Sequence, residues 1–63
     1  MFTKREQEVL DLLIQGYNNT QISEKLNITC HTTKAHIASI YEKLNVSNRV
    51  QATVKYLQMI SIK

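Results

Sequence analysis

Apolar residues recur along the chain at helical spacing, in stretches separated by capping residues. Val9, Leu10, Leu12, Leu13 and Ile14 form the first stripe. Ahead of it stands Thr3-x-x-Glu6, a capping box in which the hydroxyl satisfies an orphan amide and the carboxylate reaches back to the cap. Gly16 behind it supplies the left-handed conformation that stops a helix, so the pattern predicts a helix over 4–15. Asn18-x-x-Gln21 repeats the cap logic and opens a helix of about two turns, with Ile22 and Leu26 inward. Asn27 suits the left-handed C-terminal position, which frees Ile28 to fold back as an apolar plug between two helices. Thr29 is the next N-cap, and Thr33, Ile37, Ile40, Tyr41 and Leu44 then mark one face of a helix of about four turns. Asn45 and Val46 make a stop. Ser47 is read as the cap of a last helix over 48–58, which carries Val50, Val54 and Leu57 along one side with Thr53 beside them; the tail Met59, Ile60 and Ile62 stays apolar. No linker, low-complexity tract or repeat interrupts residues 1–63. The expected fold is all-α, a compact four-helix domain.

Composition narrows the function. Sixty-three residues leave room for one small domain and exclude a large enzyme with a separate substrate domain. One Gly and no Pro remove the turn chemistry of an all-β sandwich. A core of this size usually supplies only about 3 to 5 kcal/mol, and the lone Cys30 cannot form an internal disulfide, so a homo-oligomer fits. A single thiol without a signal-peptide pattern suits a reducing, cytoplasmic setting, and no apolar stretch approaches the ~20 residues of a membrane span. The net charge of +3 is unevenly spread: residues 1–24 sum to −2 and the remainder to +5. A polyanion-facing surface on the C-terminal side is the functional reading, and a solvated basic face the bland one.

The pair of helices within 18–44 carries the most information. Over 29–38 the outer face of the longer helix offers Cys30, His31, Thr32, Lys34, Ala35 and Ala38, with one cation and no acid. A helix enters the ~12 Å major groove only if its leading side chains are short and no carboxylate faces the phosphates. Helix N-termini add partial positive charge, which makes the amides at Asn19, Thr20, Thr29 and Cys30 natural phosphate clamps. Lys34 is either a solvated lysine or, as its acid-free surroundings favour, a partner for guanine O6 and N7 or a nearby phosphate. His36 falls on the inner face, where a packed, hydrogen-bonded imidazole is preferred over a phosphate contact. Cys30, His31 and His36 do not make a metal site, because adjacent helical residues point some 100° apart and no fourth ligand lies nearby. Cys30 and His36 lie on different faces and make no nucleophile pair, so neither catalysis nor a cofactor is expected. Tyr17, Tyr41 and Tyr56 are scattered and read as packing residues rather than base-stacking platforms.

Thr3-x-Arg5-Glu6-x-Glu8-Val9-Leu10, Gly16, Asn19, Ile22, Leu26, Ile28, Thr32-x-Lys34-x-His36, Ile40-Tyr41-x-Lys43-Leu44, Val46, Arg49 and Ala52 together resemble the LuxR/GerE-type DNA-binding domain of bacterial transcription regulators. The resemblance spans nearly the whole chain, and Leu57-Gln58-Met59 extends it into the tail. It implies a helix-turn-helix over 18–37, with base contacts at Lys34, Ala35 and Ala38 and backbone contacts at Asn19, Thr20, His31 and Thr32. It also implies dimerisation through the last helix, where Val50, Thr53, Val54 and Leu57 are either a homodimer seam or plain core. Arg49 would then pair with Glu6 or Glu8 of the first helix, or else touch a phosphate; the ion pair is preferred. The family usually has Ala at Ser23, Val at Thr33 and Gly at Asn45. Hydroxyls at the first two positions need backbone carbonyls one turn back, and Asn45 takes the left-handed conformation less easily than Gly, so somewhat lower stability is expected.

The leading expectation is sequence-specific binding of double-stranded DNA by a dimer, as a bacterial transcription regulator or the effector domain of a response regulator, with RNA polymerase a further partner. Alternatives are a helical protein-interaction module and a promoter-binding domain like region 4 of a sigma factor. The Lys43-Leu44-x-Val46 end argues against the sigma-like reading.

Overall fold

The computed structural model describes residues 2–61, which form α1 (Lys4–Ile14), α2 (Asn19–Leu26), α3 (Cys30–Leu44) and α4 (Arg49–Ser61), with no strand among them. Both capping boxes form. Thr3 Oγ1 accepts the Glu6 amide at 3.1 Å while Glu6 Oε1 takes the Thr3 amide at 2.9 Å, and Asn18 and Gln21 exchange the equivalent bonds at 2.8 and 2.9 Å. Thr29 caps α3 through the Thr32 amide.

The first three helices end alike. Gly16, Asn27 and Asn45 take φ of 100°, 56° and 58°. In each case the next residue's amide folds back: Tyr17 to Leu12 O, Ile28 to Ser23 O and Val46 to Tyr41 O. These paired bonds satisfy the carbonyls a helix end leaves open, and they reverse the chain within two residues. Tyr17 and Val46 then pack against the core. Ile28 stays half-buried and outside the core cluster, so the expected plug is only partial: the turn is so tight that α2 and α3 meet directly.

The core is Val9, Leu10 and Leu13 of α1, Ile22 of α2, Ile37, Ile40 and Leu44 of α3, and Ala52 of α4. Tyr17, Tyr41 and Tyr56 lie half-buried around it, as packing residues do. Helices α1 and α3 form the central pair; α2 and α4 each lie against that pair and do not touch one another. Ser23 and Thr33 sit buried where α2 meets α3, and their hydroxyls donate to Thr20 O at 2.7 Å and Thr29 O at 3.1 Å. Each polar group is satisfied within its own helix, which lets a hydroxyl occupy a packed position.

Helix α4 departs from expectation at both ends, and its exposure settles one alternative left open for its apolar row. Asn48, not Ser47, is its cap: Asn48 Oδ1 accepts the Gln51 amide at 2.9 Å, and Gln51 Oε1 takes the Ser47 amide at 2.8 Å. The Asn48 amide oxygen takes the amide three residues on, so the helix starts at Arg49, one residue later than a Ser47 cap would set it. The helix also runs on through Met59, Ile60 and Ser61, since nothing there breaks it; Ile62 lies outside the described residues. Its buried side is Ala52 with half-buried Tyr56, so Val50, Val54 and Leu57, at 72%, 50% and 45% exposure, are not core. The small Ala52 brings α4 close to α1 and α3 while the branched residues face away.

Gly16 separates backbone from packing effects, because a Cβ there would meet no atom within 4 Å although φ is +100°. Gly16→Ala should therefore cost about 1 to 2 kcal/mol through backbone strain alone. In urea unfolding the midpoint should drop with an unchanged m-value; no shift would mean that the turn relaxes.

Candidate nucleic-acid interface

The first two turns of α3 stand clear of the protein. Cys30, His31, Lys34, Ala35 and Ala38 are exposed, Thr32 is half-buried, and Thr33 and Ile37 between them point inward. The carboxylate-free edge expected from the sequence is thus a surface, not an internal face. Beside it, α2 presents Asn19, half-buried, and Thr20, exposed. The amides of Asn19, Thr20, Thr29, Cys30 and His31 donate to no acceptor among the described residues, so both helix N-termini offer N–H groups to an anion.

Short polar contacts fix the two helices against each other. Ser23 Oγ gives its proton to Thr20 O, so the Cys30 thiol, 3.4 Å away, is the donor in the bond that joins α2 to the start of α3. Thr29 Oγ1 accepts the Thr32 amide at 3.0 Å and donates to Thr32 Oγ1 at 2.9 Å. From α1, Arg5 Nη1 reaches Leu26 O at 3.5 Å at the end of α2, and also meets Glu8 at 3.4 Å.

Glu6 anchors the other half of α3. Buried to 6% exposure, its carboxylate accepts from Lys43 Nζ at 2.6 Å, Ser39 Oγ at 2.6 Å and the Thr3 amide. Those bonds, Lys43 first, then Ser39 and Thr3, pull the Glu6 carboxyl from its ordinary 4.5 down to about 2 against the burial that pushes it up. Glu6 heads the stripe Glu6, Val9, Leu10 and Leu13, and a carboxylate at the head of a core stripe must find partners. That was the signal available for Ser39 and Lys43, which lie four residues apart beside the apolar row of α3.

Arg49 corrects the preferred ion pair. Its guanidinium donates to Leu13 O at 2.9 Å and to Tyr17 O, not to Glu6 or Glu8. A cation here meets the negative end of α1 and ties the start of α4 to it. His36 corrects the packed, hydrogen-bonded imidazole: it is half-buried, about 100° round α3 from the buried Ile37, and makes no hydrogen bond among the described residues. Among the described residues no three His, Cys, Asp or Glu side chains gather as a metal site, and no helix is long and apolar enough to cross a membrane.

The profile of the GerE family, described as bacterial regulatory proteins of the luxR family, matches residues 1–56. The chain belongs to that family. Its helix-turn-helix is homologous to the DNA-binding effector domains of response regulators. The nitrate/nitrite response regulator protein NarP of Escherichia coli is 48% identical over 58 residues, which cover 92% of this chain and 27% of NarP. The crystal structure of the response regulator ChrA of a heme-sensing two-component system superimposes with a TM-score of 0.90 at 41% identity, over 94% of this chain and 29% of that one. The transcription factor GerE superimposes with a TM-score of 0.82 at 38% identity, covering 92% of this chain and 87% of GerE. This LuxR-family chain therefore spans about a quarter of the length of NarP and ChrA, and most of GerE.

The depressed Glu6 carboxyl has a pH signature. A folded-state value of about 2 against an ordinary 4.5 adds stability that is complete above about 4.5 and lost as pH falls towards 2. In Glu6→Gln this part of the acid limb should be missing, so the gap between the two proteins closes as pH drops. Thermal unfolding by circular dichroism across that range checks it, and a gap independent of pH would exclude Glu6 as the titrating group.

Proposed function

We propose that this LuxR-family domain binds double-stranded DNA as a homodimer and regulates transcription in the bacterial cytoplasm, with α3 in the major groove. Lys34, Ala35 and Ala38 read base edges, and Asn19, Thr20, Thr29, Cys30, His31 and Thr32 hold phosphates on either side. The observation that carries this is the exposed face over 30–38, which has one cation, two alanines and no carboxylate beside the open amides of two helix N-termini. Such an edge lets backbone approach base edges while the amides neutralise phosphate charge.

The dimer seam is Val50, Val54 and Leu57 on α4, with Thr53 at its edge. These apolar residues are solvent-exposed in the single chain, and α4 touches α1 and α3 but not α2, so a second copy can dock without covering α2. A two-fold arrangement would set two reading helices about 34 Å apart on one side of a duplex. RNA polymerase is the further partner such a regulator meets at a promoter.

Enrichment of duplexes from a random-sequence pool, followed by titration of the retained sequence at several salt concentrations, tests the reading. Affinity should fall steeply with salt as counterions leave the phosphates, whereas a protein-docking module would show little salt response and no enriched sequence. Lys34→Ala should weaken binding to the enriched duplex by about 1 to 3 kcal/mol and relax the preference at one base pair. An unaltered profile across base-pair variants would remove Lys34 as a reader. Leu57→Asp should keep the helical circular dichroism and reduce the dimer in sedimentation, with or without DNA; an undiminished dimer would place the seam elsewhere.

A further inference from the structure

Helix α3 has two halves with different surroundings. Its N-terminal half carries the exposed edge, and its C-terminal half is where Glu6 bonds to Ser39 and Lys43. The two are mechanically continuous. His31, Ala35, Ser39 and Lys43 step along α3 four residues at a time, so the side chains that meet Glu6 continue the ridge that carries His31 and Ala35.

The buried stripe of Thr33, Ile37, Ile40 and Leu44 holds α3 against the core, but apolar burial is non-directional, whereas hydrogen bonds are directional. With a helix radius of about 5 to 6 Å including side chains, a rotation of about 10° moves a surface atom by about 1 Å. That exceeds the width of a good hydrogen-bond distance range. Two bonds of 2.6 Å, made one turn apart to the two oxygens of one buried carboxylate, resist rotation and sliding of α3 against α1. The Thr3 amide holds the same carboxylate from the start of α1.

We propose that Glu6 is a positioning residue for base reading, holding α3 at one rotation about its axis through Ser39 and Lys43. This rests on the reading that α3 reads bases. Glu6 touches no DNA itself. Its loss degrades discrimination between duplexes while the phosphate grip of the α2 and α3 N-termini, which depends on charge and open amides, persists.

The experiment compares the wild-type chain with Glu6→Gln, Ser39→Ala and Gly16→Ala. The probes are the duplex enriched by the wild-type chain and an unrelated duplex of equal length, at one salt concentration and a temperature where circular dichroism shows each protein folded. Glu6→Gln should lower the ratio of affinities by about tenfold, the loss expected of one misplaced base contact, with binding to the unrelated duplex within about twofold of wild type. Ser39→Ala should lower the ratio by about threefold, since one of the two α3 bonds to Glu6 is lost. Gly16→Ala, which destabilises the chain at the far end of α1, should leave the ratio unchanged. A preserved ratio in Glu6→Gln, or an equal loss in Gly16→Ala, overturns the proposal, because stability alone would then account for the effect. If Glu6→Gln does not fold, Ser39→Ala carries the decision against Gly16→Ala. A wild-type chain that enriches no sequence overturns the base-reading function, and with it this proposal.

Discussion

The N-terminal half of α3 stands clear of the protein because its C-terminal half is anchored, and that anchoring joins an apolar stripe to one buried carboxylate. Thr33, Ile37, Ile40 and Leu44 supply the burial, while Glu6 bonded to Ser39 and Lys43 supplies direction. A buried carboxylate is costly unless its lone pairs are filled, and here a side-chain cation, a hydroxyl and a backbone amide fill them. The same arrangement closes the first turn of α1, since the Glu6 that accepts from α3 also completes the Thr3 capping box. The start of α1 and the end of α3 therefore form one polar unit.

Economy of turns follows from the length of the chain. A domain of 63 residues has little core to spend on loops, and the first three helices stop within two residues through a left-handed Gly or Asn and a returning amide. At the α2–α3 corner the packing is close enough that Ser23 and Thr33 must bond within their own helices, and Cys30 to Ser23. At the other end Arg49 donates to Leu13 O in the last turn of α1 and to Tyr17 O just beyond it, so α4 begins from a fixed point although it buries only Ala52. Helices α2 and α4 lie apart on the α1–α3 pair, so the exposed apolar row of α4 does not adjoin α2.

Local chemistry was legible because it is written within three or four residues. Thr3 with Glu6, Asn18 with Gln21 and Thr29 with Thr32 are contacts between near neighbours, and Gly16, Asn27 and Asn45 take left-handed φ values that Gly and Asn tolerate better than other residues. The exposed face of α3 was equally readable, because helical spacing assigns each residue to a side. The cap of α4 is equally local. Ser47 and Asn48 are both good caps, and Asn48-x-x-Gln51 repeats the Asn18-x-x-Gln21 spacing that distinguishes them.

The sequence by itself determined four helices, the stops of the first three and the carboxylate-free edge, since these depend on bonds and periodicities a few residues long. Tertiary structure alone decided which long-range partner each charge would find. Glu6 meets Lys43 and Ser39 across 37 and 33 residues, Arg49 meets carbonyls rather than a carboxylate, and the apolar row of α4 faces out because the smaller Ala52 faces in. Spacing places a side chain on a face of its own helix, but which helix lies opposite, and at what rotation, depends on how all four pack at once.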